Sequence, residues 1–189
     1  MTLIVQHIPG GIAANLTPFP SLPHPNIEIV VEASRLPSGI LRLWFTLRGD
    51  TDAIALPKMA SGNRTDGLWQ HTCFEAFLAG EGQAYREFNL SPSGEWAAYK
   101  FTGYRDGMDD AELDPPAINL AGWAGHVSVG ADLNLSDPPA DDWRLGLSAV
   151  IEDKAGAKSY WALAHPPEGP PDFHHPDCFA LTLPPPGGA

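Results

Sequence analysis

Polar and aromatic side chains alternate with apolar ones along two consecutive stretches of the chain. Between residues 68 and 78, one face of an extended chain carries Phe74, Ala76 and Leu78, and the other face carries Trp69, His71, Cys73 and Glu75. The next stretch sets Phe88 and Leu90 against Tyr85, Glu87 and Asn89. Because successive side chains of a strand point to opposite faces, each stretch has one apolar and one polar face. Pairing of the two strands would place the polar faces side by side.

These residue types suit the recognition of a sugar. The C–H face of a sugar ring packs on an indole such as that of Trp69, while carboxylate and amide groups hold the hydroxyls. Simple exposure of one sheet face to solvent produces the same alternation, and this alternative stays open. A tryptophan on such a face nevertheless requires an explanation, because exposed apolar surface often marks a binding site.

A catalytic interpretation depends on Glu75 and Glu87. Glycosidases use two carboxyl groups that lie about 5 Å or roughly 6.5–9.5 Å apart, and residues on adjacent strands can meet that condition. An acid and a base also need different environments, and the sequence indicates no such difference. Binding is therefore favoured over catalysis, with hydrolysis of glycosidic bonds as the enzymatic alternative.

The elements around these residues read as short strands. Residues 68–101 contain three, separated by turn sequences at 79–82 and 91–94. Six further strand-like runs follow the same pattern: 27–33, 41–47, 127–133, 145–151, 159–165 and 178–183. About nine short strands without helices between them predict an all-β sandwich of two antiparallel sheets with long loops. Parallel α/β architecture is excluded because it needs crossover helices.

The remaining segments are predicted to be irregular. Residues 1–26 contain five prolines and should form extended coil after at most one strand. Residues 102–125 and 134–142 are rich in Asp and Pro and indicate surface loops. The domain is expected to span residues 1–184, followed by a flexible Pro/Gly tail at 185–189.

Composition restricts the partners. Eleven Lys and Arg against 23 Asp and Glu give a formal charge of -12, which repels nucleic acid and anionic membrane surfaces. The N-terminal apolar run breaks at Gln6, and the chain has no stretch of ~20 apolar residues, so a cytoplasmic location is expected. Cys73 and Cys178 lie far apart in sequence and are predicted to be buried, reduced thiols.

Three segments carry a family resemblance. TCFEAFL at 72–78, YREFNLSPSGEWAAYKF at 85–101 and HHPDCFALTL at 174–183 resemble the DOMON-like group of bacterial proteins related to family 9 carbohydrate-binding modules. The resemblance implies a jelly-roll-like β-sandwich whose concave face grips the end of a glycan between two tryptophans. By position it implies that Trp69 stacks on the sugar, that Glu75 and Asn89 bind its hydroxyls, and that Trp161 is the second platform.

The chain departs from that family at its sugar-gripping arginine. Glu87 occupies the expected place, and Arg86 is predicted to point to the opposite face. Arg42 and Arg48 are the substitutes considered. Modules of that family are usually appended to secreted glycosidases, whereas this chain is expected to be free-standing and without an export signal.

No cofactor is predicted. The resemblance raises calcium, but the acidic loops at 106–114 and 137–142 lack an EF-hand pattern. It also raises haem, for which only Met59 and Met108 offer methionine ligands besides the initiator. The run from Asp172 to His175 offers too few ligands for zinc, because adjacent histidines of an extended chain point apart.

The sequence as a whole therefore predicts a non-catalytic β-sandwich that binds a saccharide or polyol. The predicted ligand-binding residues are Trp69, His71, Glu75, Glu87, Asn89 and Trp161. Besides the hydrolase, the alternatives are a protein-interaction module and a haem-binding module of the DOMON type. Oligomeric state is left open.

Overall fold

The computed structural model describes residues 5–8, 11–37 and 39–186. Within these ranges the chain forms thirteen β-strands and three single-turn 3-10 helices, at Thr51–Ala53, Leu68–Gln70 and Pro176–Cys178. The strands are β1 Val5–Ile8, β2 Gly11–Pro18, β3 Ile27–Arg35, β4 Ile40–Gly49, β5 Cys73–Ala79, β6 Tyr85–Leu90, β7 Trp96–Phe101, β8 Asp109–Asp110, β9 Asn119–Trp123, β10 His126–Asn134, β11 Trp143–Glu152, β12 Lys158–Ala162 and β13 Leu181–Leu183. No helix in the described ranges is long and apolar enough to span a membrane.

The strands form two antiparallel halves. One half has the order β8-β7-β6-β5-β11-β12, with β13 also paired to β11, and the other has the order β2-β3-β4-β10-β9, with β1 paired to β2. The halves join at one edge, where β12 pairs with β2. Their inner faces pack together, and the rings of Phe45 and Phe74 lie 4.9 Å apart between centroids. The predicted all-β sandwich of antiparallel strands is confirmed.

Alternation of side chains produces the core between the halves. In β3, Ile27, Ile29 and Val31 are buried, whereas Glu28 and Glu32 are exposed. In β4, the predicted inward residues Leu41, Leu43, Phe45 and Leu47 are all completely buried. Burial of a side chain of this kind stabilises the fold by roughly 1.5–3 kcal/mol. The pattern of apolar residues therefore decides which face of each strand points inward.

Three strands lie where the sequence predicts coil or loop. One is β2, which forms a hairpin with β1, the single strand allowed within residues 1–26, and pairs with both β3 and β12. The prolines around β2 misled the prediction, because the one proline within the strand, Pro18, is its last residue and lies beyond the last pairing with β3. The other two, β8 and β9, lie in the predicted acidic loop. Their residues are all exposed, so no buried face leaves an alternating pattern.

Two of the predicted turns are closed by a backbone hydrogen bond. The Gly94 amide donates to the Ser91 carbonyl at 3.0 Å, and the Gly156 amide donates to the Asp153 carbonyl at 3.0 Å. Ser38 and residues 187–189 of the predicted tail lie outside the described residues. Both cysteines are buried and unpaired, as predicted.

Candidate functional site

A cavity of about 490 Å³ lies on the outer side of the sheet formed by β5, β6, β7, β11 and β12. The loop at 102–108, here called the Arg105 loop, and the segment at 171–178 help to enclose it. The lining combines aromatic, acidic and basic side chains: Trp69, Gln70, Glu75, Glu87, Tyr99, Phe101, Arg105, Met108, Val150, Lys158, Tyr160, Pro171, Phe173 and His174.

Glu75 and Glu87 form the floor of the cavity. Glu75 lies opposite Asn89 across the β5–β6 pair, and Glu87 lies opposite Phe77, so the two carboxyl side chains share the outer face. Phe74, Ala76 and Leu78 alternate with Glu75 along β5 and fill the core between the halves instead. Glu75 and Glu87 are only 4% and 6% exposed. The two carboxyl groups therefore share one face, as predicted, and lie at the bottom of the cavity, where little of their surface is exposed.

Few donors compensate these two carboxyl groups. The Asn89 side-chain amide donates to Glu87 Oε1 at 2.7 Å, and the Ser148 hydroxyl donates to Glu75 Oε2 at 3.4 Å. Burial raises the pKa of Glu75 well above its usual range, and the nearby Glu87 carboxyl raises it further. Burial also raises the pKa of Glu87, although the Asn89 hydrogen bond opposes this effect. Both shifts follow from the cost of ionising an acid away from water.

His174 extends the polar floor. Its Nε2 lies 3.6 Å from Glu87 Oε2, and its Nδ1 lies 2.7 Å from the Tyr85 hydroxyl. The backbone N–H of Arg105 donates to that hydroxyl at 3.2 Å. Burial, together with the Arg105 charge, lowers the pKa of His174 to about 4. The imidazole is therefore neutral at neutral pH, and a Tyr85 O–H that donates to Nδ1 leaves the ring proton on Nε2, facing Glu87.

Trp69 forms an exposed wall of the cavity. It belongs to the 3-10 turn Leu68–Gln70, which begins after Gly67 in a left-handed conformation with φ of 77°. The indole is 39% exposed and meets the ring of Tyr99 edge-on at 6.1 Å. The Tyr99 hydroxyl donates to Asp66 Oδ1 at 2.6 Å, which holds this supporting ring in place. A second aromatic pair, Tyr160 and Phe173, also lines the cavity, with centroids 6.2 Å apart.

Arg105 lies at the edge of the cavity in an unusual backbone conformation. Its φ is 53°, the left-handed region that few residues other than glycine adopt. Its guanidinium donates to Asp172 Oδ1 from Nε at 3.2 Å and from the terminal nitrogen at 2.7 Å. The Tyr104 hydroxyl donates to the other oxygen of the same carboxylate. Asp172 therefore ties the Arg105 loop to the segment at 171–178.

Of the predicted binding residues, Trp69, Glu75 and Glu87 line the cavity. Asn89 is completely buried beside them, with its amide directed at Glu87. His71 is not among the residues that line this cavity, and its Nδ1 lies 2.7 Å from Glu152 Oε2.

The prediction that Trp161 forms the second platform is wrong. Trp161 is 2% exposed and lies in the core between the halves, with its indole N–H donating to the Ser159 hydroxyl at 3.0 Å. It pairs with Ala149 of β11, which faces inward. The preceding residue, Tyr160, pairs with Val150 and shares the cavity lining with it. Since a shift of one residue changes the face, Tyr160 occupies the place expected of Trp161.

The arginine of the cavity is neither of those considered from the sequence. Arg42 lies on β4 in the other half and pairs with Asp132 at 2.7 Å, and Arg48 belongs to the same strand. Arg105 lines the cavity instead, together with Lys158. Sequence reasoning missed Arg105 because it lies in a loop without periodicity. Tyr160 could have been found, because it alternates with Trp161.

The run from Asp172 to His175 divides as expected for an extended chain. His174 faces the cavity, whereas the His175 side chain accepts a hydrogen bond from the Asp177 amide at 3.2 Å. Among the described residues, no group of three or more His, Cys, Asp and Glu is arranged to hold a metal ion.

Comparison with known proteins yields similarities of structure only. The sequence matches no protein-family profile and no curated protein. The fold resembles that of a candidate carbohydrate-binding protein from Bacteroides uniformis, with a TM-score of 0.62 and 13% identity over 86% of this chain and 82% of the other.

Two further structures are of a family 9 carbohydrate-binding module from Caldicellulosiruptor kristjanssonii, one in complex with glucose and one with cellotriose. Each has a TM-score of 0.45 and 12% identity over 76% of this chain. The match covers 70% of the chain in the glucose complex and 68% of the chain in the cellotriose complex. At 13% identity, the Bacteroides similarity establishes a shared β-sandwich fold.

Proposed function

We propose that this protein binds a saccharide or similar polyol in the cavity, without catalysis. The observation that carries the proposal is the presence of the Trp69 wall and the Glu75–Glu87 floor in one cavity of about 490 Å³. That volume lies within the roughly 300–1,000 Å³ of ligand pockets, which typically combine apolar walls with a few polar groups. Solvation of a plain sheet face does not explain two covered carboxyl groups beside an exposed indole.

The lining offers complementary partners to a polyol. Sugar hydroxyls both donate and accept, so they need acceptors and donors within one site. Glu75 and Glu87 accept, while Arg105 and Lys158 donate at the edge of the cavity. The C–H face of a sugar ring can pack on Trp69 or on the opposite aromatic pair. The cavity therefore serves both the polar and the apolar surface of a sugar.

Two similarities agree with this proposal. The segments that resemble the DOMON-like group include Glu75, Glu87 and His174, and we propose membership of that group. The Bacteroides protein that shares the fold carries a carbohydrate-binding description.

A hydrolase is the competing function, because Glu75 and Glu87 share the cavity. Glycosidases that use two carboxyl groups keep one acid protonated and the other ionised, through different environments. Here burial raises the pKa of both groups, and neither is paired with a lysine or arginine of the described residues that would hold one of them ionised. Binding without turnover is therefore the better account. A panel of chromogenic glycosides tests it, and turnover that is lost in Glu75→Gln would reverse the assignment.

Isothermal titration calorimetry against a panel of mono- and oligosaccharides tests the binding function. We expect saturable binding of at least one sugar by the wild type and a clear loss in Tyr160→Ala. The matched control is Arg42→Ala, because Arg42 lies on the other half and pairs with Asp132. Failure of the folded protein to bind any sugar would refute the proposal, as would equal binding by wild type and Tyr160→Ala. Circular dichroism verifies folding in each case.

A further inference from the structure

We propose that the Glu75–Glu87 floor selects saccharides that carry a protonated amino group. This inference rests on the saccharide-binding function proposed above and specifies its ligand class. The relevant observation is a pair of covered carboxyl side chains that face a cavity without a lysine or arginine partner within the described residues.

The Glu75 side chain is incompletely satisfied. It is 4% exposed, and its only hydrogen bond within the described part of the chain is the 3.4 Å contact of Oε2 with Ser148. Its second oxygen accepts none there, although a carboxylate has room for about four donors. Glu87 has a short bond from Asn89 and a 3.6 Å approach from the neutral His174. The floor therefore offers vacant acceptor positions, mainly on Glu75, to a ligand in the cavity.

The cations near the cavity do not neutralise the floor. The charge of Arg105 lowers the pKa of both carboxyl groups, but its guanidinium is hydrogen-bonded to Asp172. Lys158 is exposed at the start of β12, where solvent screens its charge. The other titratable groups near the carboxyl pair are Cys73, Tyr85, Tyr99, Tyr160 and His174, none of which is a cation at neutral pH. A positive charge is therefore the missing partner.

An ammonium group fits this environment better than a hydroxyl does. It supplies three donors and no acceptor, so it matches a floor whose vacant positions accept. Its charge compensates the two carboxyl groups, whereas a hydroxyl leaves their ionisation as costly as before. The aromatic walls formed by Trp69 and Tyr160 also attract a cation through their ring faces. The formal charge of -12 attracts cationic ligands to the protein as a whole, which the experiment must separate from selection by the floor.

Calorimetry with three oligosaccharides of equal length and linkage tests the inference. A cello-oligosaccharide, a chito-oligosaccharide and a fully deacetylated chitosan oligosaccharide carry a hydroxyl, an acetamide and an amine, respectively, at the same ring position. The titrations are run from weakly acidic to neutral pH, because a lower pH protonates the amine whereas a higher pH ionises the two carboxyl groups, whose pKa values are raised. At the pH of tightest binding, we expect the chitosan oligosaccharide to bind at least about tenfold more tightly than the other two, which corresponds to ~1.4 kcal/mol.

Variants then locate the selectivity. Glu75→Gln and Glu87→Gln preserve shape and remove charge, so each should reduce the preference for the amine over the hydroxyl at the same ring position to less than about threefold. Asp132→Asn is the matched control, because this carboxylate is exposed on the other half and pairs with Arg42. It should keep the full preference.

The possible outcomes separate this inference from the binding function. Equal affinity for the three oligosaccharides would overturn the inference and leave saccharide binding in place. A preference that persists in both glutamine variants would also overturn it, since general attraction to the acidic surface would then be the cause. Absence of binding by every oligosaccharide and every sugar of the larger panel would refute both.

Discussion

Replacement of Trp69 by alanine should weaken ligand binding by an amount that the structure defines. A full indole side chain can bury up to about 250 Å². Since Trp69 is 39% exposed, roughly 100 Å² remain for a ligand. A sugar ring covers one face, or about 50 Å², which at ~25 cal/mol per Å² corresponds to about 1.2 kcal/mol. We therefore expect the dissociation constant to rise about eightfold.

The assay is calorimetry with the sugar that the wild type binds most tightly. Loss of the edge contact with Tyr99 should lower the free energy of unfolding by about 0.5–1.5 kcal/mol, and urea titration verifies that Trp69→Ala is still folded. Trp123→Ala is the matched control. Trp123 is 65% exposed on β9 in the other half, where it stacks on His126 at 3.8 Å. A dissociation constant within twofold of wild type in Trp69→Ala, or an equal loss in Trp123→Ala, would refute the role of the Trp69 wall.

Three further predictions concern the fold that carries the cavity. Phe74→Ala removes a completely buried ring between the halves and should cost about 3–5 kcal/mol in urea unfolding, and a cost below ~1 kcal/mol would contradict the packing described. Gly49→Ala should lower the free energy of unfolding more than Gly82→Ala does in the same assay. Both glycines have a positive φ, 112° and 90°, but only at Gly49 would an added Cβ meet a neighbour, the Asn26 carbonyl oxygen at 2.6 Å. Burial holds the pKa of His174 at about 4 in the folded protein, below its ordinary value of 6.5. The neutral side chain therefore contributes up to about 3 kcal/mol to the free energy of unfolding above pH 6.5. This contribution is lost as the pH falls through 4. His174→Gln should therefore lose less stability than wild type between pH 7 and pH 4 in urea titrations, and equal losses would contradict this assignment.

Much of the sandwich is predictable because its strands bury one face. Alternation identified the inward residues of β3 and β4 and placed Glu75 and Glu87 on a common outer face. A period of two is a local property of extended chain, so it needs no knowledge of the partner strands. The two central carboxyl groups of the site were therefore visible in the sequence.

Strands without that pattern were not predictable. The five residues of β9 are all exposed, and β2 lies among prolines. These strands form because their backbone groups pair with other strands, β9 with β10 and β2 with β3. Pairing between distant segments leaves little trace in local composition.

Loops supplied the part of the site that only the tertiary structure decided. Arg105 and His174 lie 69 residues apart in sequence, and the Asp172 carboxylate and the Tyr85 hydroxyl bring their segments together above the sheet. Neither segment has a periodic pattern from which the direction of a side chain follows. Their contribution to the cavity could not be foreseen.

The sequence by itself determined that polar and aromatic residues share one face of β5 and β6, because side-chain direction alternates along every strand. It did not determine which face of β12 points to the core, since Tyr160 and Trp161 are both large and aromatic. The tertiary structure decided this through the register of β12 with β11, which directs Trp161 inward and Tyr160 to the cavity. Register depends on pairing between strands, and one residue of offset exchanges the two faces.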